Sequence, residues 1–405
     1  MYEQHMDGRW RWPAVCGGVL IAVAVGGTAA REQTTPAPGE RALDYAFRFA
    51  GAVDDAKDRA KAQESAINGY VDAGLLDEAE LRAAEIEGWR RGVVLGRLAA
   101  LRLREGDAER ARGLLAAAER SAGEVQDWGR DRILAQVAEV RALLGEDERA
   151  REIGEQLIRN DPRTYEGRAT VALASALAAR GDLAGAQRTI GTLDDSVDLY
   201  VAWWRTEGYL DLAERAGVDP SQRAELLDRA RLSARAIVGW KQAEMLQRIA
   251  AAEQRAGRDQ DALESLERAE RIVLDLPRTM SLRGPLLADL ARSWVATGRR
   301  EHALELVGTA ERDLDYVASI VERPAAIARV ATGYVAVGRD GDGVRLLRLA
   351  LARAQALENP RPRALALSAV CREAGRHGVE FEEDLTPRLD AMLAELTGET
   401  VRAGL

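Results

Sequence analysis

The residue types that usually carry chemistry are few in this chain. Histidine occurs only at His5, His302 and His377, and cysteine only at Cys16 and Cys371. Two cysteines exclude a disulfide scaffold, a cysteine zinc site and an iron–sulfur cluster. His302, in Arg300-Glu301-His302-Ala303, stands at the start of a helical stretch and reads as a solvated side chain. His377 precedes Glu380, Glu382, Glu383 and Asp384, acids that favour the N-terminus of a following helix over a metal ion. The segment Gly338-Arg339-Asp340-Gly341-Asp342-Gly343 has the composition of a calcium or phosphate loop. It lacks the later bidentate glutamate and follows no strand, so it reads as a loosened turn. The adjacent pairs Asp54-Asp55 and Asp194-Asp195 are not carboxylates facing each other across a cleft. No catalytic, cofactor-binding or metal-binding residue is therefore assigned, and no cofactor or enzyme activity is expected. One aromatic cluster remains: Trp203-Trp204, flanked by Tyr200 and Tyr209, in a chain with only 5% aromatic residues. Adjacent side chains on a helix diverge by about 100°. One tryptophan must therefore enter a core layer while the other faces a groove or seam, as a ligand anchor or as a gap filler.

Elements that position such residues are legible in the composition. The chain has 405 residues, 47% hydrophobic and 30% charged, with the apolar share mostly Ala, Leu and Val. These are helix-formers, and a core is affordable. Apolar residues recur at helical spacing, as in Met245, Leu246, Ile249 and Ala250, or Leu263, Leu266, Ala269 and Val273. Of the 57 basic residues only Lys57, Lys61 and Lys241 are lysine, and the net charge is −9. A broad face for a nucleic-acid backbone is excluded by that balance.

A repeat organises the chain. Glycine follows one amphipathic segment and precedes the next at Gly74, Gly106, Gly145, Gly181, Gly217, Gly257, Gly298, Gly338 and Gly375, spaced 32 to 41 residues apart. Five residues later stand Ala79, Ala111, Ala150, Ala186, Ala262 and Ala303. Seven residues earlier stand Ala99, Ala138, Ala174, Ala250, Ala291 and Ala331. The glycine suits a left-handed helix end, and Asp107 or Asp182 then caps the next helix. The alanines suit close crossings of antiparallel helices. The predicted fold is all-α: an α-solenoid of about eight to nine helix hairpins over residues 41–376, with a C-terminal capping helix and tail over 377–405. Cys371 falls where Tyr70 and Tyr334 stand in their units and reads as a small buried residue.

Ala99, Gly106, Ala111 and Ala118, the aromatics Tyr70 and Tyr334, and the closing Asn160-Asp161-Pro162 together resemble the tetratricopeptide repeat (TPR) family over about residues 60–375. Most units here exceed that family's 34 residues. In the family, peptides lie against the first helix of each hairpin. Counted back from the glycines, the resemblance then implies a partner-binding groove at Arg104, Arg132, Glu139, Arg168, Trp204, Glu207, Asp211, Arg215, Glu244, Gln247, Arg255 and Arg292. The family's carboxylate clamp is not carried over, since Glu64 stands where its lysine belongs.

The N-terminus reads as a targeting segment. Residues 12–30 carry no charge, follow Arg9 and Arg11, and end in small residues with Thr28 and Ala30 placed for cleavage. Residues 1–30 are read as a signal peptide, or alternatively a signal anchor, and 31–40 as a Pro-rich linker. The expectation is an exported, periplasmic or secreted, non-enzymatic protein that holds a protein or peptide partner. A membrane-tethered envelope assembly factor is the alternative, touching the membrane only through residues 12–30. A glycan-acting enzyme on the same scaffold is the third reading.

Overall fold

The computed structural model describes residues 37 to 398, apart from 194–197, 216, 380 and 382–384. The targeting segment 1–30, Asp194-Asp195, and Glu380, Glu382, Glu383 and Asp384 lie outside the described residues. The described residues contain helices and no strand. Nine helices form an inner layer: α2 (Ala56–Asp72), α4 (Trp89–Arg104), α6 (Trp128–Leu143), α8 (Pro162–Ala179), α10 (Leu199–Glu214), α12 (Trp240–Arg255), α14 (Arg283–Ala296), α16 (Arg323–Ala336) and α18 (Pro360–Arg376). Nine more back them: α1 (Glu40–Gly51), α3 (Leu76–Ala83), α5 (Ala108–Glu124), α7 (Asp147–Asn160), α9 (Leu183–Gly191), α11 (Pro220–Ser233), α13 (Asp259–Leu274), α15 (Arg300–Asp313) and α17 (Asp340–Gln355). A last helix, α19 (Leu385–Thr397), lies against α1. The chain is an all-α helical repeat protein.

The hairpin turns form for the reason the repeat suggests. Gly74, Gly106, Gly145, Gly181, Gly217, Gly257, Gly298 and Gly338 all have φ between 72° and 87°, the region open to residues without a Cβ. At Gly106 the Asp107 N–H reaches Arg102 O at 2.9 Å and the Gly106 N–H reaches Leu103 O at 3.1 Å. This closing pair recurs at Gly74, Gly145, Gly181, Gly257, Gly298 and Gly338. Asp107 and Asp182 then cap α5 and α9 through their carboxylates. Ala99, Ala111, Ala118, Ala262 and Ala303 are buried where helices cross.

The ninth unit departs from the expected register. Gly375 is helical, inside α18, and the left-handed turn is Gly378, with φ 68°. Val379 N–H bonds Ala374 O at 3.0 Å and Gly378 N–H bonds Gly375 O at 2.9 Å, so the closing pair has moved three residues on. Counted from Gly378, Cys371 takes the small-residue place of Ala99, Ala250 and Ala331, not the aromatic place of Tyr70. It is fully buried, and burial pushes its thiol pKa far above the ordinary value, so it is a packing residue without thiolate character.

The larger departure is that the solenoid closes on itself. Helix α18 has no following partner of its own, and α1, from the other end of the chain, fills that place. It runs antiparallel to α18, with Gly39 beside Gly375 and Ala46 O accepting from Ser368 Oγ at 2.7 Å. A Cβ on Gly375 would lie 2.5 Å from Leu43 Cγ and 2.7 Å from Gly39 O. One on Gly69 of α2 would lie 2.6 Å from Leu43 Cδ2. Glycine is required at Gly375 because the backbones of α18 and α1 converge there, and at Gly69 because the Leu43 and Arg372 side chains pack onto it. Arg361 Nε of α18 also donates to Asp58 Oδ2 of α2 at 2.9 Å. The α-solenoid of stacked hairpins is therefore a ring, because α1 buries Leu43, Phe47 and Phe49 at the seam. The capping helix α19 buries Leu385, Leu389, Met392 and Leu393 and is tied to α1 by Tyr45 OH donating to Asp390 Oδ1 at 2.8 Å.

Candidate functional site

The inner helices all run in one direction, each entering at one rim of the ring and turning back at the other. Side chains that face neither the outer helices nor the flanking inner helices therefore point toward the ring's interior. The structure links several of the predicted groove residues in a chain, in which Glu139 and Arg168 are buried, 8% and 7% exposed. Arg104 of α4 and Arg168 of α8 both approach Glu139 of α6, at 3.6 and 3.7 Å. The Arg168 guanidinium lies 5.8 Å from the ring centroid of Trp204 on α10. Gly167 makes that approach possible, since a Cβ there would be 2.8 Å from Trp204 Cβ. On α10, Asp211 accepts from Ser175 Oγ at 2.6 Å and from Arg215 Nη2 at 2.9 Å. Burial works to raise the pKa of Asp211, but Arg215, Arg104 and the Ser175 hydroxyl outweigh it and hold the carboxyl below the usual range.

Other groove residues are occupied or displaced. Glu207, expected on the open face, is buried and paired with Arg248 of α12. Burial raises its pKa and Arg248 offsets only part of the rise. Arg255 pairs with Glu214 at 2.6 Å. Arg292 donates to Thr332 Oγ1 at 2.9 Å and pairs with Asp289, which also binds Arg329 of α16. Glu244 and Gln247 are half-buried on α12. Trp204 is half-buried and not an exposed aromatic, while Trp203 packs against the core. Trp203 is half-buried as well, so the two side chains leave α10 in different directions without either being fully enclosed.

His302, expected to be solvated, keeps 39% of its side chain exposed and also reaches the seam. Its Nε2 lies 2.7 Å from Glu270 Oε2, the same carboxylate oxygen that accepts from Trp294 Nε1 at 2.9 Å, and its ring meets Trp294 edge-on at 4.8 Å. Among the described residues no three His, Cys, Asp or Glu side chains are placed to hold a metal ion. No described helix is long and apolar enough to cross a membrane.

Sequence reasoning passed over the entry rim. Trp89, Trp128 and Trp240 each open an inner helix directly after its cap residue, Gly88, Asp127 or Gly239. Trp89 and Trp128 meet edge-to-face at 4.9 Å, and Arg90 lies 4.5 Å from the Trp89 centroid. Lys241 lies 5.5 Å from the Trp240 centroid and 5.6 Å from that of Tyr200. The signal was present: Ile86-Glu87-Gly88-Trp89-Arg90 and Ile237-Val238-Gly239-Trp240-Lys241 are two copies of one helix entry. In each, a buried isoleucine anchors the link and glycine frees the turn into the helix. Arg132 stands at this rim, over Trp128 and Trp89 at 5.0 and 5.5 Å.

No protein family profile matches the chain, and no curated protein matches it. Among solved structures it is similar to Ton1535 from Thermococcus onnurineus NA1, at 14% identity over 75% of this chain and 97% of that one, with a TM-score of 0.29. It is also similar to a circular tandem repeat protein with novel repeat topology, at 14% identity over 89% of this chain and 95% of that one, with a TM-score of 0.17.

Proposed function

We propose that this chain is a non-enzymatic binding protein of TPR-like type, exported by its N-terminal segment, which holds a peptide or protein segment on the inner wall of the ring. The observation that carries the reading is the run Arg104–Glu139–Arg168–Trp204, which offers alternating charge and one aromatic face across four successive inner helices. Backbone and side-chain groups of an extended segment can pair with such a wall, and a half-buried tryptophan supplies the apolar anchor. Selection of binders from a displayed peptide library tests it. Wild-type protein is expected to select a shared motif. Trp204→Ala is expected to lose those peptides while keeping its helical circular dichroism and a cooperative melt. Equal selection by the variant would remove Trp204 from the site, and selection of no motif by the wild type would refute peptide binding. The export part is tested by intact mass of protein recovered outside the cytoplasm, which is expected to lack residues 1–30.

A further inference from the structure

We propose that Arg132 is the recognition point for one acidic side chain, an aspartate or glutamate, within the bound segment. This rests on the peptide-binding reading above. Arg132 sits one turn into α6 with its guanidinium 5.0 Å from the Trp128 ring centroid and 5.5 Å from that of Trp89. Among the described residues it makes no hydrogen bond and no ion pair within 4 Å, and Glu64 and Tyr165 act on it only at longer range. A guanidinium without a protein acceptor keeps its N–H donors for a ligand.

The neighbouring carboxylates are shared. Arg90 pairs with Glu64, which also acts on Arg132 at longer range, and Arg104 and Arg168 both approach Glu139, at 3.6 and 3.7 Å. This stretch of the wall therefore carries more positive than negative charge in a chain whose net charge is −9. A planar, singly charged carboxylate accepts two parallel N–H bonds from such a fork and cancels that charge. Burial lowers the pKa of Arg132, Tyr165 and Glu64 offset only part of the fall and Arg90 adds to it, so the cation sits in surroundings that an anion would relieve. One turn further along α6, Gln136 is 2% exposed and its Nε2 has no acceptor among the described residues. Trp128, 56% exposed, offers its ring to the stem of the acidic residue.

The test uses a random peptide library fused to the display particle through its C-terminus, so that no terminal carboxylate is free. The motif selected by full-length protein is expected to contain Asp or Glu at one fixed position. Selection by Arg132→Gln should keep the rest of the motif and lose that acid. The selected peptide, synthesised with an amidated end, should bind about tenfold more weakly on Glu→Gln exchange in wild type. It should show no further loss on Arg132→Gln, the coupling expected of a direct pair. Arg132→Lys, which keeps the charge and stem but not the fork, should fall between. Circular dichroism melts of both variants establish that they fold. A motif without an acid, an equal penalty in wild type and Arg132→Gln, or equal binding of the phosphoserine peptide overturns the assignment while leaving peptide binding intact. A library that yields no motif at all refutes the peptide reading first and this assignment with it.

Discussion

Two stretches of the ring are built on opposite principles. At the closure, α18 and α1 meet backbone to backbone through Gly39, Gly375 and the small Ser368, and Gly69 of α2 lets the Leu43 and Arg372 side chains in. On either side of α12 the inner helices stand farther apart. No glycine lines those seams, and long polar side chains span them. Arg248 and Arg255 of α12 reach Glu207 and Glu214 of α10, and Gln254 Nε2 donates to Ala296 O of α14 at 2.5 Å. Close packing of small residues gains dispersion and tolerates no added volume. Bridging by ion pairs gains little where solvent reaches them and leaves room for change. The seam joining the two ends of the chain is thus the tighter one, and the seams flanking α12, in mid-chain, are the looser ones.

The comparison breaks most plainly if α1 is not what holds the ring. Phe49 is fully buried in α1. Phe49→Ala should cost about 3–5 kcal/mol in urea unfolding. Small-angle scattering of the variant should shift toward a more extended particle. A loss under about 1 kcal/mol with unchanged scattering would mean that α1 merely rests on the array.

A sharper version compares one substitution in both places. Gly375→Val adds volume where the nearest atoms would be 2.5 Å from the new Cβ, and should cost on the order of 1–3 kcal/mol. Ala251→Val on the half-buried wall of α12 should cost only about the 0.5 kcal/mol by which valine is a poorer helix former than alanine, whereas valine is a better helix former than the glycine at 375. Equal costs would erase the distinction. Between these extremes lies His302→Ala, which removes one of the two donors to Glu270 at the α13, α14 and α15 junction and should cost about 0.5–1.5 kcal/mol. Ala303→Leu beside it should cost on the order of 1–3 kcal/mol, as an overpacked crossing.

What was legible in the sequence is what is local. A glycine that ends a helix, an aspartate that caps the next and an alanine at the crossing act within a dozen residues, so eight of the nine turn glycines read correctly. Gly375 misled because it is also small and near a helix end, but its smallness serves the contact with Gly39 and Leu43, more than 330 residues away. Closure itself has no local mark, since α1 looks like any amphipathic helix. At the candidate site, Trp204 and Arg168 were found by counting from the repeat glycines, and they do meet. Glu207 was misplaced because its partner Arg248 belongs to the next unit, 41 residues on. Arg132 falls on the same count, whereas Trp89 and Trp128, at the helix entries, lie outside the positions counted back from the glycines.

The smallest expected effect concerns acid and base within the α10 wall. Asp211 and Glu207 lie one turn apart and are shifted in opposite directions. Asp211, held low by Arg215, Arg104 and Ser175 against the effect of burial, binds its proton less readily folded than unfolded. Its contribution to stability is present above the ordinary value of 3.8 and is lost as pH falls through the lower folded value. Glu207, raised by burial with Arg248 offsetting part, binds its proton more readily folded than unfolded. Its contribution is present below the ordinary value of 4.5 and is lost as pH rises through the higher folded value. Urea unfolding of wild type, Asp211→Asn and Glu207→Gln across the acid and neutral range resolves the two. The stability of Asp211→Asn relative to wild type should fall with rising pH, because only wild type gains the carboxylate's contribution. That of Glu207→Gln relative to wild type should climb with rising pH, because the amide never has to ionise beside α12. Two slopes of the same sign would show that the seam toward α12 is as well matched in charge as the Ser175–Asp211–Arg215 contact, and the contrast between loosely and closely built walls would not extend to their titration.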